Sequence, residues 1–196
     1  MSKIYCLMGK SSSGKDTIYK KLLKELKNLK RVILYTTRPI RQGEKSGVEY
    51  HFVDEKKLAQ MEEEGKVIEQ RAYHTIHGIW KYFTAADGQV DLEKEDYLVI
   101  GTLASYQAMG RYFGEEKVVP IYLQVDDGLR LERALKRERN QKHPKYEEMC
   151  RRFLADSEDF SEKNLALASI EKRFDNEDLQ ECLQKVINYI QKGITS

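Results

Sequence analysis

Gly9-Lys10-Ser11-Ser12-Ser13-Gly14-Lys15-Asp16-Thr17 lies between an apolar run, Ile4-Tyr5-Cys6-Leu7-Met8, and a stretch with helical spacing. Two glycines and a lysine at this spacing, after a strand and before a helix, form the P-loop signature. The signature ordinarily continues with Ser or Thr, and here Asp16 takes that place with Thr17 after it. The phosphate cradle does not depend on that position. Glycines let the backbone turn its N–H groups inward as an anion-binding nest, at a helix N-terminus whose dipole favours phosphate. Lys15 then reaches the outer phosphates as a point charge. The loop from Gly9 to Thr17 is therefore expected to bind a nucleoside triphosphate.

Working outward, residues 3–8 are apolar enough for a strand buried on both faces. Ile18, Leu22, Leu23, Leu26 and Leu29 recur at helical spacing, with lysines on a solvated opposite face. Val32-Ile33-Leu34-Tyr35 reads as a second strand closing a βαβ unit. A polar loop, Thr36-Thr37-Arg38-Pro39-Ile40-Arg41-Gln42-Gly43-Glu44, then leads into a short strand over 47–53. Asp54 caps a predicted helix carrying Leu58, Met61 and Ala59, which Gly65 ends. Val67-Ile68-Glu69 and the aromatic-rich span 73–83 read as further strands, and Asp87-Gly88 marks a turn.

Residues 97–101 form a buried strand before a helix over about 104–112. The next strand, 118–125, is expected to be irregular or edge-like at Pro120. A charged helix from Asp127 carries Arg130, Arg133, Arg137 and Arg139. Residues 140–145, with Pro144, separate it from a second helix over about 146–160. The span 166–174 reads as a last strand. Leu179, Cys182, Leu183, Val186, Ile187 and Ile190 line one face of a closing helix. This alternation predicts an α/β fold: an open parallel sheet of about five strands with helices on both faces. Such sheets bind ligands beyond the carboxyl ends of their strands, where the P-loop, Arg38 and Gly101 all fall.

With 196 residues and 40% apolar content, one domain spanning 1–196 is expected. Its core would comprise 1–37 and 91–196, with an inserted α+β subdomain over 38–90 and a lid over about 137–152. A net charge of +2 does not suggest a nucleic-acid binder. Cys6, Cys150 and Cys182 lack metal-ligand spacing, and each is expected as a reduced, buried or half-buried thiol. No run approaches the ~20 apolar residues of a membrane span, and residues 1–8 lack a signal-peptide hydrophobic region. A cytoplasmic location is expected.

The P-loop, Thr36-Thr37-Arg38-x-x-Arg41-x-Gly43-Glu44, Gly47-x-x-Tyr50-x-Phe52 and Gly65-x-x-x-Glu69 together resemble the guanylate kinases. The arginine-rich helices and Phe174-Asp175-Asn176-x-Asp178-Leu179 extend that resemblance over most of the chain. It implies a P-loop NTPase fold, ATP with Mg²⁺ on Gly9–Thr17, and GMP or an analogue in the inserted subdomain. It also implies acceptor contacts from Arg38, Arg41, Glu44, Tyr50 and Glu69, and places Arg137 and Arg152 at the transferring phosphates. The chemistry agrees. Arg38 and Arg41 suit a phosphate dianion as guanidinium forks, or are a pair of surface arginines. Glu69 complements two N–H donors of a guanine edge, or is an ion-paired strand residue.

Three stretches depart from the family pattern. Leu34-Tyr35 stands where small hydroxyl residues are usual. His77-Gly78-Ile79 replaces Tyr-Gly-Ser/Thr, so His77 either contacts the acceptor or is a strand histidine. Val99-Ile100-Gly101-Thr102 replaces a pair of aspartates. Asp16 and Gly101-Thr102 instead resemble ribose 1,5-bisphosphate phosphokinase, and Asp16 could hold Mg²⁺ in place of the missing groups. Transfer to another phosphorylated acceptor is one alternative. The other is a non-catalytic module binding a phosphopeptide through Arg38 and Arg41, against which Gly9, Gly14 and Lys15 argue.

Overall fold

The computed structural model describes residues 2–75 and 78–194, so His77 lies outside the described residues. The chain builds two sheets. The larger combines β1 (Ile4–Met8), β2 (Leu29–Arg31), β7 (Asp96–Ile100), β8 (Val118–Gln124) and β9 (Arg173–Asp175) in the order β2-β7-β1-β8-β9. Every pairing in it is parallel. The expected five-stranded parallel sheet is borne out.

All five residues of β1 are buried, as expected of its place at the centre of the sheet. Alternation splits them between two cores. Ile4, Cys6 and Met8 face Met109 of α3 (Leu103–Phe113), together with Phe160, Leu165 of α6 (Glu162–Leu167) and Ile170. Tyr5 and Leu7 face Ile18 and Leu22 of α1 (Lys15–Glu25), and Cys182, Val186 and Ile190 of α7 (Leu179–Ile194). Helices therefore cover both faces, and β1 delivers the P-loop at its carboxyl end.

The smaller sheet has the order β4-β3-β6-β5, from β3 (Tyr35–Thr36), β4 (His51–Phe52), β5 (Val67–Thr75) and β6 (Gly78–Ala85). Its core joins Phe83 and Ala85 to Leu58 and Met61 of α2 (Glu55–Glu63). The Asp54 side chain accepts the Lys57 N–H at 2.7 Å, the expected N-cap. Gly65, at φ 66°, ends the helix, with the Lys66 N–H reaching the Met61 carbonyl.

Some boundaries differ from expectation. The strand placed at 32–35 is split: Leu29–Arg31 joins the large sheet, whereas Tyr35–Thr36 joins the small one. Gln89 holds the connecting Ile33 by both its N–H and its carbonyl. The span 166–174 begins as the end of α6, and only Arg173–Asp175 pairs with β8. Ala59 is exposed, and so is Cys150, whereas Cys6 and Cys182 are buried. Pro120 sits opposite Cys6 in an inner strand, but β9 pairs with β8 only from Tyr122 onward. On that side Pro120 is locally at an edge, which tolerates its missing N–H.

Candidate active site

The loop after β1 needs its glycines. A Cβ on Gly9 would lie 2.7 Å from Ser13 Oγ and 2.8 Å from the Leu123 carbonyl oxygen. One on Gly14, whose φ is 84°, would meet Asn176 Nδ2 at 2.5 Å. Asn176 is there for a reason: it donates to the Ser13 carbonyl at 2.7 Å and pins the loop from the start of the closing segment. Ser12 also adopts a left-handed φ of 63°. Gly14 caps α1 without a side chain, so the first-turn N–H groups keep their capacity for an anion.

Lys15 opens α1. Burial pushes its pKa down, Asp16 and Asp156 push it back up, and Arg152 and Arg137 push it down again. These five side chains therefore share one electrostatic neighbourhood. They come from the P-loop, from α4 (Asp127–Arg139) and from α5 (Tyr146–Asp159).

The arginines of α4 and α5 divide into two groups. Arg133 donates to the Asn176 and Glu177 carbonyls, and Arg151 forks onto Glu148 at 2.8 Å through each of two nitrogens. Both are spent on the protein itself. Arg152 is exposed and touches Ser11 Oγ at 3.3 Å. The Arg137 side chain is exposed and has no hydrogen bond or ion pair among the described residues. Glu138, 6% exposed, accepts the Lys145 N–H and ties the two ends of the 140–145 loop together.

In the loop after β3, Arg38 is buried and forks onto Glu44 at 3.0 and 2.9 Å. Glu44 also accepts the Arg41 N–H at 2.8 Å, so one carboxylate shapes the whole loop. The Arg38 hydrogen bonds hold the Glu44 carboxyl below its ordinary pKa. Rings of Tyr50 and Phe52 flank the Arg38 guanidinium at 5.6 and 5.3 Å. The Arg41 side chain is exposed. Burial raises the Tyr50 pKa, and Tyr82, Arg38, Arg71 and Asp16 all act on it. Tyr50 thus lies within electrostatic reach of both Arg38 and Asp16 of the P-loop.

Glu69 takes its place on β5 as an ion-paired residue. Arg71 reaches it at 3.1 and 3.3 Å, and the buried Thr84 hydroxyl donates at 2.8 Å. Ile79 is exposed on β6. Thr102 is the N-cap of α3 in a capping box with Ser105, so its hydroxyl is spent on the helix. Sequence reasoning gave no site role to Arg71, Asn176, Arg130 or Asp156. Arg71 follows Glu69 by two residues, which places both on one face of a strand, a signal that was available.

Comparison with known proteins agrees with this picture. Residues 1–80 match the family model described as guanylate kinase. Guanylate kinase of Legionella pneumophila (strain Lens) is 39% identical over 66 residues, 34% of this chain and 32% of that protein. Guanylate kinase of Clostridioides difficile (strain 630) is 41% identical over 71 residues, covering 36% and 35%. The matched region thus spans about a third of the length of these relatives. The crystal structure of guanylate kinase from Anaplasma phagocytophilum superimposes with a TM-score of 0.70 at 20% identity, covering 98% of this chain and 86% of that one. The resemblance to the guanylate kinase family is borne out, and so is the fold. The matched residues contain the P-loop, Arg38, Arg41, Glu44, Tyr50 and Glu69. Arg137 and Arg152 lie outside them.

Proposed function

We propose that this chain, similar to the guanylate kinases in its first 80 residues and in fold throughout, is an ATP-dependent nucleoside monophosphate kinase. It transfers the γ-phosphoryl group of ATP to GMP, giving ADP and GDP. One observation carries the reading: Gly9 and Gly14 leave no room for a Cβ, and Gly14 caps α1 without a side chain, so the loop before Lys15 presents open first-turn N–H groups to a triphosphate. On this reading 38–90 is the acceptor-binding insertion and 137–152 the lid, set on a core of 1–37 and 91–196. The bond from the γ-phosphorus to the β–γ bridging oxygen breaks as one to an acceptor phosphate oxygen forms. No side-chain nucleophile is needed. Lys15, the first-turn amides, Arg137 and Arg152 stabilise the migrating charge.

Mg²⁺, when bound with ATP, neutralises charge across the phosphates. Asp16 is exposed in the first turn of α1. Among the described residues no group of three or more candidate ligands could hold a metal. That fits Mg²⁺, which uses one or two carboxylates together with substrate phosphates rather than a protein cage. Asp16→Ala should raise the Mg²⁺ concentration for half-maximal activity about threefold to tenfold, a loss worth roughly 1 kcal/mol. It should also weaken Mn²⁺ binding to the ATP complex, read by electron paramagnetic resonance. Unchanged values in both would leave Asp16 as a first-turn acid favoured by the helix dipole.

The Arg71–Glu69 pair favours a second reading, transfer to a different phosphorylated acceptor. A carboxylate offers about four lone-pair sites. Arg71 and Thr84 already take most of those on Glu69. GMP would have to displace Arg71 to present both its N1–H and N2–H₂ donors. Glu69→Gln is expected to lower kcat/KM for GMP about tenfold, one lost charged contact, with the KM for ATP unmoved. Assaying nucleoside monophosphates and ribose 1,5-bisphosphate with Mg-ATP tests the choice. GMP should outrun AMP, CMP and UMP. Faster turnover of AMP or the bisphosphate would overturn the GMP assignment.

A further inference from the structure

Ser11 is held at three atoms by the helices that follow β8. Asp156 Oδ2 accepts its N–H at 2.7 Å, Arg130 Nη1 donates to its carbonyl at 2.9 Å, and Arg152 Nη2 touches its hydroxyl at 3.3 Å. Arg130 is 1% exposed, the largest of the fully buried side chains. Its Nε and Nη2 fork onto Asp127 Oδ1 at 3.0 and 2.8 Å, and its guanidinium carbon lies 4.4 Å from the Phe153 ring centroid. Asp156 Oδ2 stands 3.7 Å from Arg130 Nη1, and Lys10 reaches Asp127 at 3.3 Å.

A guanidinium this deeply buried is costly unless its donors are all directed to acceptors. An apolar residue would fill the same space under α4 without that cost, so the placement of the charge needs a reason. Arg130 and Asp156 grip opposite ends of the same residue, its carbonyl and its N–H. With its N–H taken by Asp156, Ser11 is not a phosphate donor. It is the shoulder from which the left-handed Ser12 and the open first turn of α1 depart. Arg130 shares α4 with Arg137, and Asp156 shares α5 with Arg152 one turn earlier.

We infer that Arg130 and Asp156 are positioning residues for the triphosphate site, fixing the P-loop to the helices that carry the lid arginines. The inference rests on the proposed function only in taking the loop to bind ATP. The readout is titration with a fluorescent ATP analogue, alongside kcat, KM and thermal unfolding. Asp156→Ala should weaken ATP binding about tenfold and leave the KM for the acceptor unmoved. Asp156→Asn keeps an oxygen for the Ser11 N–H and should recover most of that loss. If Asp156→Ala does not fold, Asp156→Glu decides, since it keeps the charge but displaces the oxygen by a methylene. Several-fold weaker ATP binding supports the inference. Lowered thermal stability with parental ATP affinity would make the pair merely structural and overturn it, as would variants indistinguishable from the parent. Failure of the unmodified protein to bind ATP would overturn the proposed function together with this inference.

Discussion

Lys15→Ala is expected to reduce phosphoryl transfer by about a thousandfold, the scale of losing one preorganised charge-stabilising donor, while the protein remains folded. Lys15 contributes no apolar packing to either core beside β1. Its burial disfavours its own charge, so removing the ammonium relieves a cost rather than creating one. Circular dichroism and thermal unfolding should therefore match the parent. The same burial predicts a pH dependence with a definite sign. The depressed pKa means the ammonium is present at low pH and lost as pH rises through a value below the ordinary lysine range. ATP affinity should fall on that alkaline side, and Lys15→Arg should move the limb upward because a guanidinium does not deprotonate there. Near-normal turnover by Lys15→Ala would overturn the catalytic role assigned to Lys15.

Local signals carried the sequence reading furthest. The P-loop, the Asp54 cap and the Gly65 stop each involve residues a few positions apart, and each stands where its chemistry puts it. The spacing of Leu179, Cys182, Leu183, Val186 and Ile190 correctly gave the buried face of α7. Strand limits were less legible. The apolar run Val32–Tyr35 has strand composition, but backbone pairing at its two ends belongs to different sheets. Leu165 is buried among strand residues from a helix. A short apolar stretch cannot declare which of the two it is.

The site divides along the same line. Glu44 was placed beside Arg38 by a loop of seven residues, so their pairing was within reach of a local motif. The grip on Ser11 joins positions separated by 119, 145 and 141 residues. No periodicity reports contacts at that distance. What was visible was the spacing of Arg152 and Asp156 on one face of α5. The arginines of α4 and α5 serve different ends: Arg133 and Arg151 bind protein, and Arg130 is buried beneath the loop. Composition counts charges, whereas burial and partners decide which of them face a ligand.

The loop at 36–44 gives the second large effect. Arg38 is 3% exposed and its side chain is forked onto Glu44, itself 19% exposed. Arg38→Met fills much of the same volume but removes both the guanidinium and the partner of a half-buried carboxylate. On the proposed reading the variant also loses a charged contact to the acceptor phosphate, worth about 1.5–3 kcal/mol, so kcat/KM for the acceptor should fall roughly a hundredfold. ATP affinity should stay near parental, since the P-loop is untouched. Arg38→Lys should not rescue the loss, because a point charge cannot reproduce two parallel N–H bonds. Glu44→Gln separates the two roles. It keeps the guanidinium and an acceptor for the Arg41 N–H, and is expected to cost about tenfold. If Arg38→Met left the KM for every phosphorylated acceptor unchanged while the fold held, the loop at 36–44 would not be the phosphate site. The acceptor would then have to be sought elsewhere, beside the Arg71–Glu69 pair.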